Sequence, residues 1–373
     1  MTGPVPYAEG KAVIKYRAGA FLNPVAAAMR DIDTALISTF ATRDTAVLDA
    51  TAGTGIRGIR YYLETEAKRI TMLDINASAA RAARLNAAHN GIKASILNRS
   101  IQEFTGSHKS GKFDVVDFDP FGSVSSGIYD LMKVSKDGTM MLFTATDTAV
   151  LSGAHHKACI KIYDSRPMHN ELCHEVGLRI LIGYVLRNAA QFNFGVEVVL
   201  SLSYAHYMRA AVRLRHGAET TMASIGQMGY AYYCRKCGFR SVVRSMFPVY
   251  HSKCPGCGSE GALDIAGKLW AGSLHEKEAV SATLGRLLDR GSSKGAIKLL
   301  STISEELDVP LYYSVPHLTK DAGLPAMSPN VLIARLRKAG SSATHTHFDP
   351  SSIKTDADIR TINAQIRAAR ARG

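Results

Sequence analysis

The chain has 373 residues, a length that predicts two globular domains. Hydrophobic residues make up 46% and charged residues 21%, ordinary values for folded proteins that exclude a largely disordered chain, a collagen and a coiled-coil rod. Lysine and arginine number 45 against 32 aspartates and glutamates, so a polyanionic partner is expected, either a nucleic acid or an anionic membrane.

No part of the sequence predicts a membrane span or an export signal. The longest apolar stretch, residues 178–186, is about half as long as a bilayer requires and contains Arg179. The N-terminus has no apolar core of the kind found in secretory signals. A cytoplasmic location without membrane attachment is therefore expected, and no obligate protein partner is indicated.

The first two hundred residues alternate short β-rich runs with amphipathic stretches, which predicts a parallel sheet of the α/β class. Five strands are predicted at residues 45–50, 70–75, 94–98, 113–118 and 140–145, and helices at 56–64, 77–90 and 171–188. Two more β-rich runs, 197–204 and 207–215, predict a terminal antiparallel hairpin. Such a hairpin on an α/β sheet is typical of a class I, Rossmann-like methyltransferase fold.

Small and polar residues at 217–229 predict a domain boundary, giving domains at 1–217 and 218–373. The second is expected to be a smaller α+β unit, with helical patterns at 274–288, 294–307, 329–339 and 356–372. Its stretch from Thr220 to Ser259 has no acidic residue, and basic and aromatic residues alternate there. These are Arg235, Lys236, Arg240, Arg244 and Lys253, with Tyr230, Tyr232, Tyr233, Phe239, Phe247 and Tyr250. A nucleic-acid face is predicted, the alternative being a solvated charged surface.

Four of the six cysteines form two C-x-x-C-G pairs separated by sixteen residues. They are Cys234, Cys237, Cys254 and Cys257. Two such turns can direct four thiolates at one tetrahedral Zn²⁺, which predicts a closed structural zinc site. A metal-free redox dithiol is the weaker alternative.

A glycine turn follows the first predicted strand, in the sequence VLDATAGTGIRG of residues 47–58. Gly53 and Gly55 allow the backbone to approach a ligand closely, and Asp74 ends the next strand about twenty residues later, where it can accept both hydroxyls of a ribose. Together they indicate an adenosine-containing cofactor, without separating NAD from S-adenosylmethionine. The structural alternative is a simple connecting turn and a capping aspartate.

The sequence FDPFG, residues 118–122, ends the fourth strand at the predicted cofactor edge. The Asp119 carboxylate and the next backbone carbonyl can accept the two N–H groups of an exocyclic amine, while Phe121 stacks on the base. Hydride transfer has no need of this arrangement, which argues against a dehydrogenase. A plain Asp-Pro turn that ends a strand is the alternative.

Five segments of the chain resemble the tRNA guanine-N2 dimethyltransferases, which act on guanine 26 of tRNA. They are FLNPVAAAMRD (21–31), DATAGTGIRGIR (49–60), VVDFDPFGS (115–123), the two cysteine pairs, and THFDPSSIKTDA (346–357). One departure is the stretch 100–102, where family members more often carry an acidic residue near the adenine. The resemblance implies transfer of methyl groups from S-adenosylmethionine to guanine N2, giving N2,N2-dimethylguanosine.

The resemblance also implies roles for individual residues. Arg30 and Arg57 would meet the methionine end of the cofactor, Asp74 the ribose, and Ser100 with Ile101 the adenine. Asp49, Gly53 and Gly55 would complete the cofactor site. Asp119 and Phe121 would hold the guanine, with Phe21 as a second aromatic wall. Two rival functions remain at this point: another amino-group methyltransferase acting on adenine N6 or cytosine N4, and a non-catalytic zinc-dependent RNA-binding protein.

Overall fold

A computed structural model describes residues 5–16, 22–107, 112–321 and 323–370. A hairpin of β1 (Val5–Glu9) and β2 (Ala12–Tyr16) comes first. The main sheet follows, with strands β3 (Ala46–Asp49), β4 (Arg69–Asp74), β5 (Ala94–Asn98), β6 (Phe113–Phe118), β7 (Ser135–Ala145), β8 (Phe194–Tyr204) and β9 (Tyr207–His216). The N-terminal hairpin was not predicted from the sequence.

The main sheet has seven strands in the order β5-β4-β3-β6-β7-β9-β8. Strands β3 to β7 are parallel to one another, whereas β9 runs antiparallel to both β7 and β8. This arrangement confirms the predicted α/β sheet with its terminal antiparallel hairpin. The carboxyl ends of β3, β4 and β6 lie at one edge, because neighbouring parallel strands end on the same side.

Helices cover both faces of this sheet. They are α1 (Ala27–Ile37), α2 (Ile56–Glu64), α3 (Ala77–His89), α4 (Ile101–Ser107), α5 (Ile128–Met132), α6 (Thr148–Leu151), α7 (His156–Tyr163), α8 (Cys173–Ala190) and α9 (Ala218–Ile225). The predicted helix at 77–90 matches α3, whose first turn is capped by the Asn76 side chain and which ends before Gly91 at φ 65°.

The C-terminal half contains two small sheets. Strands β10 (Met228–Cys234), β11 (Arg240–Arg244) and β12 (Leu263–Trp270) form one, and β13 (Tyr313–Ser314), β14 (Ala343–His345) and β15 (Ser352–Thr355) form the other. The helices are α10 (Lys277–Asp289), α11 (Lys294–Glu305), α12 (Val315–Asp321), α13 (Pro329–Lys338) and α14 (Ile359–Arg370). This mixture agrees with the predicted α+β character.

The two halves share one hydrophobic core. Helix α8 packs on β8 with one side and on β12 with another, and Leu181 of α8 and Leu269 of β12 belong to the same buried cluster. Gly183 makes this approach possible, since a Cβ there would lie 3.1 Å from the Trp270 nitrogen. Helices α10 and α11 also pack on α1, with Val280 and Leu300 against Ile32.

The predicted boundary at 217/218 falls where α9 begins. Helix α9 packs on β8, and the Ser224 hydroxyl accepts from the Val196 N–H at 3.0 Å.

Among the described residues, no helix is long and apolar enough to cross a membrane.

Candidate active site and cysteine cluster

The glycine turn after β3 lies against the end of β4. Gly53 and Gly55 have φ values of 55° and 81°, in the left-handed region that favours glycine. The Gly53 N–H donates to Asp74 Oδ2 at 2.8 Å, and the Asn76 N–H donates to Asp74 Oδ1 at 2.8 Å. A Cβ at position 55 would lie only 3.1 Å from the Ala83 Cβ. The structure therefore brings Gly53, Gly55 and Asp74 together at the carboxyl edge of the sheet.

Asp49 ends β3 and is buried beneath this turn. Its carboxylate accepts hydrogen bonds from the N–H groups of Thr51 at 3.4 Å and Gly58 at 3.2 Å. Burial, followed by repulsion from Asp117, raises the pKa of Asp49 to about 7. This carboxyl group therefore changes its charge near neutral pH.

The residues predicted to hold the base follow β6 at the same edge. The Asp119 N–H donates to Thr51 Oγ1 at 2.9 Å, which fixes the loop against the start of the glycine turn. Arg57 Nη2 donates to Asp119 Oδ2 at 2.5 Å, and 26% of the Asp119 side chain stays exposed. Phe121 is 76% exposed. A ligand can therefore reach both the carboxylate and the ring.

Arg57 belongs to a buried group that we name the catalytic-edge cluster, formed by Asp33, Arg57, Tyr61, Asp117 and Arg209. Arg57 Nη1 lies 2.5 Å from Asp33 Oδ2 and 3.5 Å from Asp117 Oδ2. Arg209 of β9 contacts the same two carboxylates at 2.7 and 2.9 Å. The Tyr61 hydroxyl donates to Asp117. Two arginines thus bridge two buried carboxylates directly behind Asp119.

The catalytic-edge cluster keeps Asp117 ionised. Burial opposes its charge, but Arg209 and Arg57 outweigh that effect and hold the pKa of Asp117 below its usual range. The sequence does carry a signal for it, because Asp117 and Arg209 each interrupt an apolar strand, and a charged residue there needs a buried partner. Sequence reasoning missed both residues, together with Asp33.

Arg30, the other arginine predicted to meet the cofactor, is buried against the N-terminal hairpin. Its Nε and Nη2 donate to the two carboxylate oxygens of Glu9 at 2.6 and 2.5 Å. Burial opposes the charge of Glu9, but Arg30 and Arg60 hold the pKa of Glu9 below its usual range. Arg30 and Arg57 are both paired with carboxylates of this chain, so a ligand carboxylate would have to share their N–H groups or displace a partner.

The residues predicted to contact the adenine open α4. The Ser100 N–H and hydroxyl donate to Glu103 Oε2 at 2.8 and 3.0 Å, and the Glu103 N–H donates back to Ser100 Oγ at 3.1 Å. This reciprocal pair is a capping box. It places the Glu103 carboxylate at the first turn of α4, next to the stretch 100–102 where family members more often carry an acidic residue. Ile101 packs against the core. Phe21 lies outside the described residues.

The four cysteines of the predicted zinc site converge. Their sulfur atoms all lie within 4.8 Å of one another, with Cys234 and Cys257 at 3.9 Å and Cys237 and Cys254 at 3.7 Å. Each pair ends in a glycine at positive φ, Gly238 at 71° and Gly258 at 72°. Four sulfurs at about 2.3 Å from one Zn²⁺ would have this spacing.

A second buried polar group joins α8 to the C-terminal half. We name it the closed cluster and define it by Glu175, Glu306, His347 and Lys354. Glu306 accepts from His347 Nδ1 at 2.7 Å and from the His347 backbone N–H at 2.9 Å. Lys354 Nζ lies 3.0 Å from Glu306 and 3.4 Å from Glu175. His347 and Lys354 belong to the segment 346–357, whose polar side chains therefore tie it to the rest of the chain.

Two members of the closed cluster, together with the neighbouring His275, also meet the spacing for a metal ion. One donor atom each from His275, Glu306 and His347 lie within 4.8 Å of one another. The Lys354 ammonium already neutralises the Glu306 carboxylate, and its positive charge opposes a further cation in this dry interior. We therefore interpret the group as structural.

The strand order, the glycine turn with Asp74 and the exposed Asp119 and Phe121 together define a class I methyltransferase. The sequence also matches the family described as N2,N2-dimethylguanosine tRNA methyltransferase over residues 5–367. The chain belongs to this family.

Individual relatives agree with that assignment. A tRNA (guanine(26)-N(2))-dimethyltransferase of Thermococcus kodakarensis is 36% identical over 363 residues, 93% of each chain. One of Pyrococcus abyssi is 36% identical over 373 residues, 94% of this chain and 95% of the relative. The structure of Trm1 from Pyrococcus horikoshii with S-adenosyl-L-methionine superposes with a TM-score of 0.87 at 31% identity, covering 97% of this chain and 99% of that one.

Proposed function

We propose that this protein transfers methyl groups from S-adenosylmethionine to the exocyclic N2 of guanine 26 in tRNA, giving N2,N2-dimethylguanosine. The observation that carries the proposal is the exposed carboxylate of Asp119 beside the glycine turn, in a chain of this family. A tRNA substrate is also consistent with the excess of positive charge, and a cytoplasmic location is part of the proposal.

The residues at the carboxyl edge of the sheet fit this cofactor. Gly53 and Gly55 give the turn its left-handed conformation, Gly55 lets it pack closely on Ala83, and Asp74 offers a carboxylate for the ribose hydroxyls. Ser100 and Ile101 are proposed to border the adenine, Asp49 to support the turn, and Arg30 and Arg57 to meet the methionine carboxylate. S-adenosylmethionine supplies an electrophilic methyl group on its sulfonium.

Asp119 is proposed to bind and orient the amino group of guanine. That amine is a poor nucleophile, because its lone pair is delocalised into the ring. Acceptance of its N–H groups by the Asp119 carboxylate and the Pro120 carbonyl would aim the lone pair, with the base stacked on Phe121 and walled by Phe21. A base inside a folded tRNA has to leave its stack to reach such residues, so base flipping is expected.

Positioning and exclusion of water account for most of the proposed rate acceleration, since methyl transfer between fixed partners needs no strong acid. The proton released from N2 passes to Asp119 or to water. Arg57 donates to Oδ2 of Asp119 and so helps to orient this carboxylate towards the substrate.

Paired substitutions at the ends of β4 and β6, the strands on either side of β3, test the proposal. Asp119→Ala is expected to abolish methylation while changing cofactor affinity less than about tenfold. Asp74→Ala is expected to act the other way, weakening cofactor binding by about 1.5 to 3 kcal/mol through loss of charge-assisted hydrogen bonds. Calorimetry measures the binding, and mass spectrometry of nucleosides from incubated tRNA measures the product, with a tRNA carrying adenine at position 26 as the control.

Three outcomes would argue against the proposal. Near-normal methylation by Asp119→Ala would remove this residue from the mechanism. A methylated adenine or cytosine would favour the other amino-group methyltransferases. Cofactor-independent tRNA binding without any product would favour a non-catalytic RNA-binding protein.

The cysteine cluster is proposed to hold one structural Zn²⁺, and the C-terminal residues 218–373 are proposed to grip the tRNA. Four sulfurs leave no open coordination position for catalysis. Metal analysis of freshly purified protein is expected to give one zinc per chain, and Cys234→Ser is expected to lose it. Cys159→Ala, a buried cysteine outside the cluster, should keep one zinc and serves as the control. Protein purified without zinc would contradict this assignment.

A further inference from the structure

The loop between β11 and the second cysteine pair presents two aromatic rings to solvent. We name residues 245–251 the aromatic loop. Phe247 is 77% exposed and Tyr250 is 84% exposed. Met246, before Phe247, and Val249, before Tyr250, are exposed as well. Such a concentration of exposed apolar side chains in one short loop indicates a binding surface.

The structure separates this loop from the other aromatic residues of the same stretch. Tyr230, Tyr232 and Tyr233 lie on β10 and are buried, so they cannot meet a partner directly. Only Phe247 and Tyr250, of the six aromatics between Thr220 and Ser259, are exposed. The predicted nucleic-acid face is therefore reduced to one loop.

Contacts from β10 hold the backbone of the aromatic loop in place. The Val249 N–H donates to the Tyr232 hydroxyl at 2.7 Å, and the ring of Tyr232 meets the ring of His251 edge-on at 5.4 Å. The Phe247 N–H donates to Ser245 Oγ at 3.3 Å. Because the backbone is fixed from below, less conformational entropy is lost when the outward rings bind a ligand.

Cations lie around the aromatic loop, and one of them, Lys253, forms an exposed pair with Glu260 at 3.4 Å. Arg244 and Lys253 lie on either side of it along the chain and are exposed, and Lys236 is exposed on the first cysteine turn. Arg240, by contrast, is buried against Tyr313 at 4.0 Å and belongs to the core of the domain. Exposed aromatic rings flanked by cations are the combination that binds unpaired nucleotides, with the rings on the bases and the cations on the phosphates.

We propose that Phe247 and Tyr250 stack on unpaired nucleobases of the tRNA substrate, and that Arg244 and Lys253 contact the adjoining phosphates. This inference rests on the proposed function for the identity of the RNA. An unpaired base is required because, within a duplex, both faces of each base are covered by its neighbours. The loop therefore reads exposed bases by stacking, without choosing among base identities.

The test compares tRNA affinity of full-length variants across a salt series. Phe247→Leu combined with Tyr250→Leu is expected to weaken binding about tenfold or more at every salt concentration, with an unchanged salt slope. Arg244→Gln is expected to reduce the slope of log affinity against log salt by about 0.7 to 0.9, the value for one phosphate. Phe40→Leu, an exposed phenylalanine of the N-terminal half, is the matched control and should bind normally.

Chemical probing of the tRNA bases identifies what the rings touch. Wild-type protein is expected to protect a small set of unpaired bases, and the double leucine variant should leave those bases reactive while still protecting the backbone. The inference is overturned if the double variant binds tRNA as tightly as wild type, or if the bases that lose protection are all paired.

Two readouts separate this inference from the proposed function. At saturating tRNA, the double leucine variant should methylate at the wild-type rate and bind S-adenosylmethionine normally, so that only KM for tRNA rises. If wild-type protein produced no methylated guanine yet its tRNA affinity still depended on Phe247 and Tyr250, the proposed function would fail and the stacking role would stand.

Discussion

The catalytic-edge cluster and the closed cluster are built from the same materials and differ in their access to solvent. Each places buried carboxylates against buried cations at distances of 2.5 to 3.5 Å. Asp119, bound to the first, keeps 26% of its side chain exposed, whereas no member of the second exceeds 3%.

That difference separates two uses of buried charge. A ligand can replace a partner of Arg57, because Asp119 connects the catalytic-edge cluster to the surface. The side chains of the closed cluster are buried, so a ligand cannot reach its ion pairs. These pairs therefore only fix the position of the segment 346–357. Substitutions in the first cluster should change both stability and catalysis, and those in the second stability alone.

The largest effect is expected from Glu306→Ala. It leaves Lys354 buried beside one carboxylate instead of two and removes the acceptor of His347, so unfolding should become easier by about 3 to 5 kcal/mol. Denaturant titration measures the loss. Glu260→Ala, which breaks an exposed pair with Lys253, should cost less than about 0.5 kcal/mol. If Glu306→Ala lowered turnover per folded molecule, the two clusters would not be separate in function.

A smaller loss of stability, accompanied by a loss of activity, is expected from Asp33→Asn. The amide keeps the shape but not the charge that holds Arg57 and Arg209, which costs about 1.5 to 3 kcal/mol. Arg57 should then shift relative to Asp119, and turnover should fall by about tenfold or more. Denaturant titration and single-turnover methylation measure the two effects. Normal turnover in a destabilised variant would show that the cluster supports the fold alone.

The smallest effect is a change in pH dependence from Asp49→Asn. The folded pKa of about 7 lies above the unfolded value, so the carboxyl group favours folding when protonated, and this contribution is lost as pH rises from about 4 to 7. Between pH 6 and 8 wild type should lose about 1.4 kcal/mol that the variant keeps. Denaturant titrations at both pH values measure the difference. Parallel profiles would mean that burial and the charge of Asp117 do not raise the pKa of Asp49 as described.

Local sequence patterns were sufficient for the sheet and for the residues at its edge. The strands at 94–98 and 113–118 have the predicted bounds, and the glycine turn, Asp74 and Asp119 meet because parallel strands end on one side. The four cysteines converge because each pair is a short local turn. Each of these rests on a local pattern, and the parallel order of the strands brings the patterns together.

Ion pairs between residues far apart in the chain could not be predicted from the sequence. Asp33 and Arg209 are 176 residues apart, and neither position shows its partner in a local pattern. The same holds for Arg30, which is held by Glu9 of an unpredicted hairpin. The aromatic stretch 230–250 was expected to form one face, but β10 is covered on both sides, which buries three tyrosines.

The core shared through α8 has a consequence for which guanine of a bound tRNA can reach the active site. Since α8 packs on the main sheet and on β12 at once, the separation between the edge that carries Asp119 and the aromatic loop is set by the fold. In an RNA bound at the aromatic loop and methylated at the other site, the distance between the two contacted nucleotides would have to match this fixed separation. The guanine to be methylated would then be selected by its distance from the bases bound at the aromatic loop, without contacts to the bases beside it.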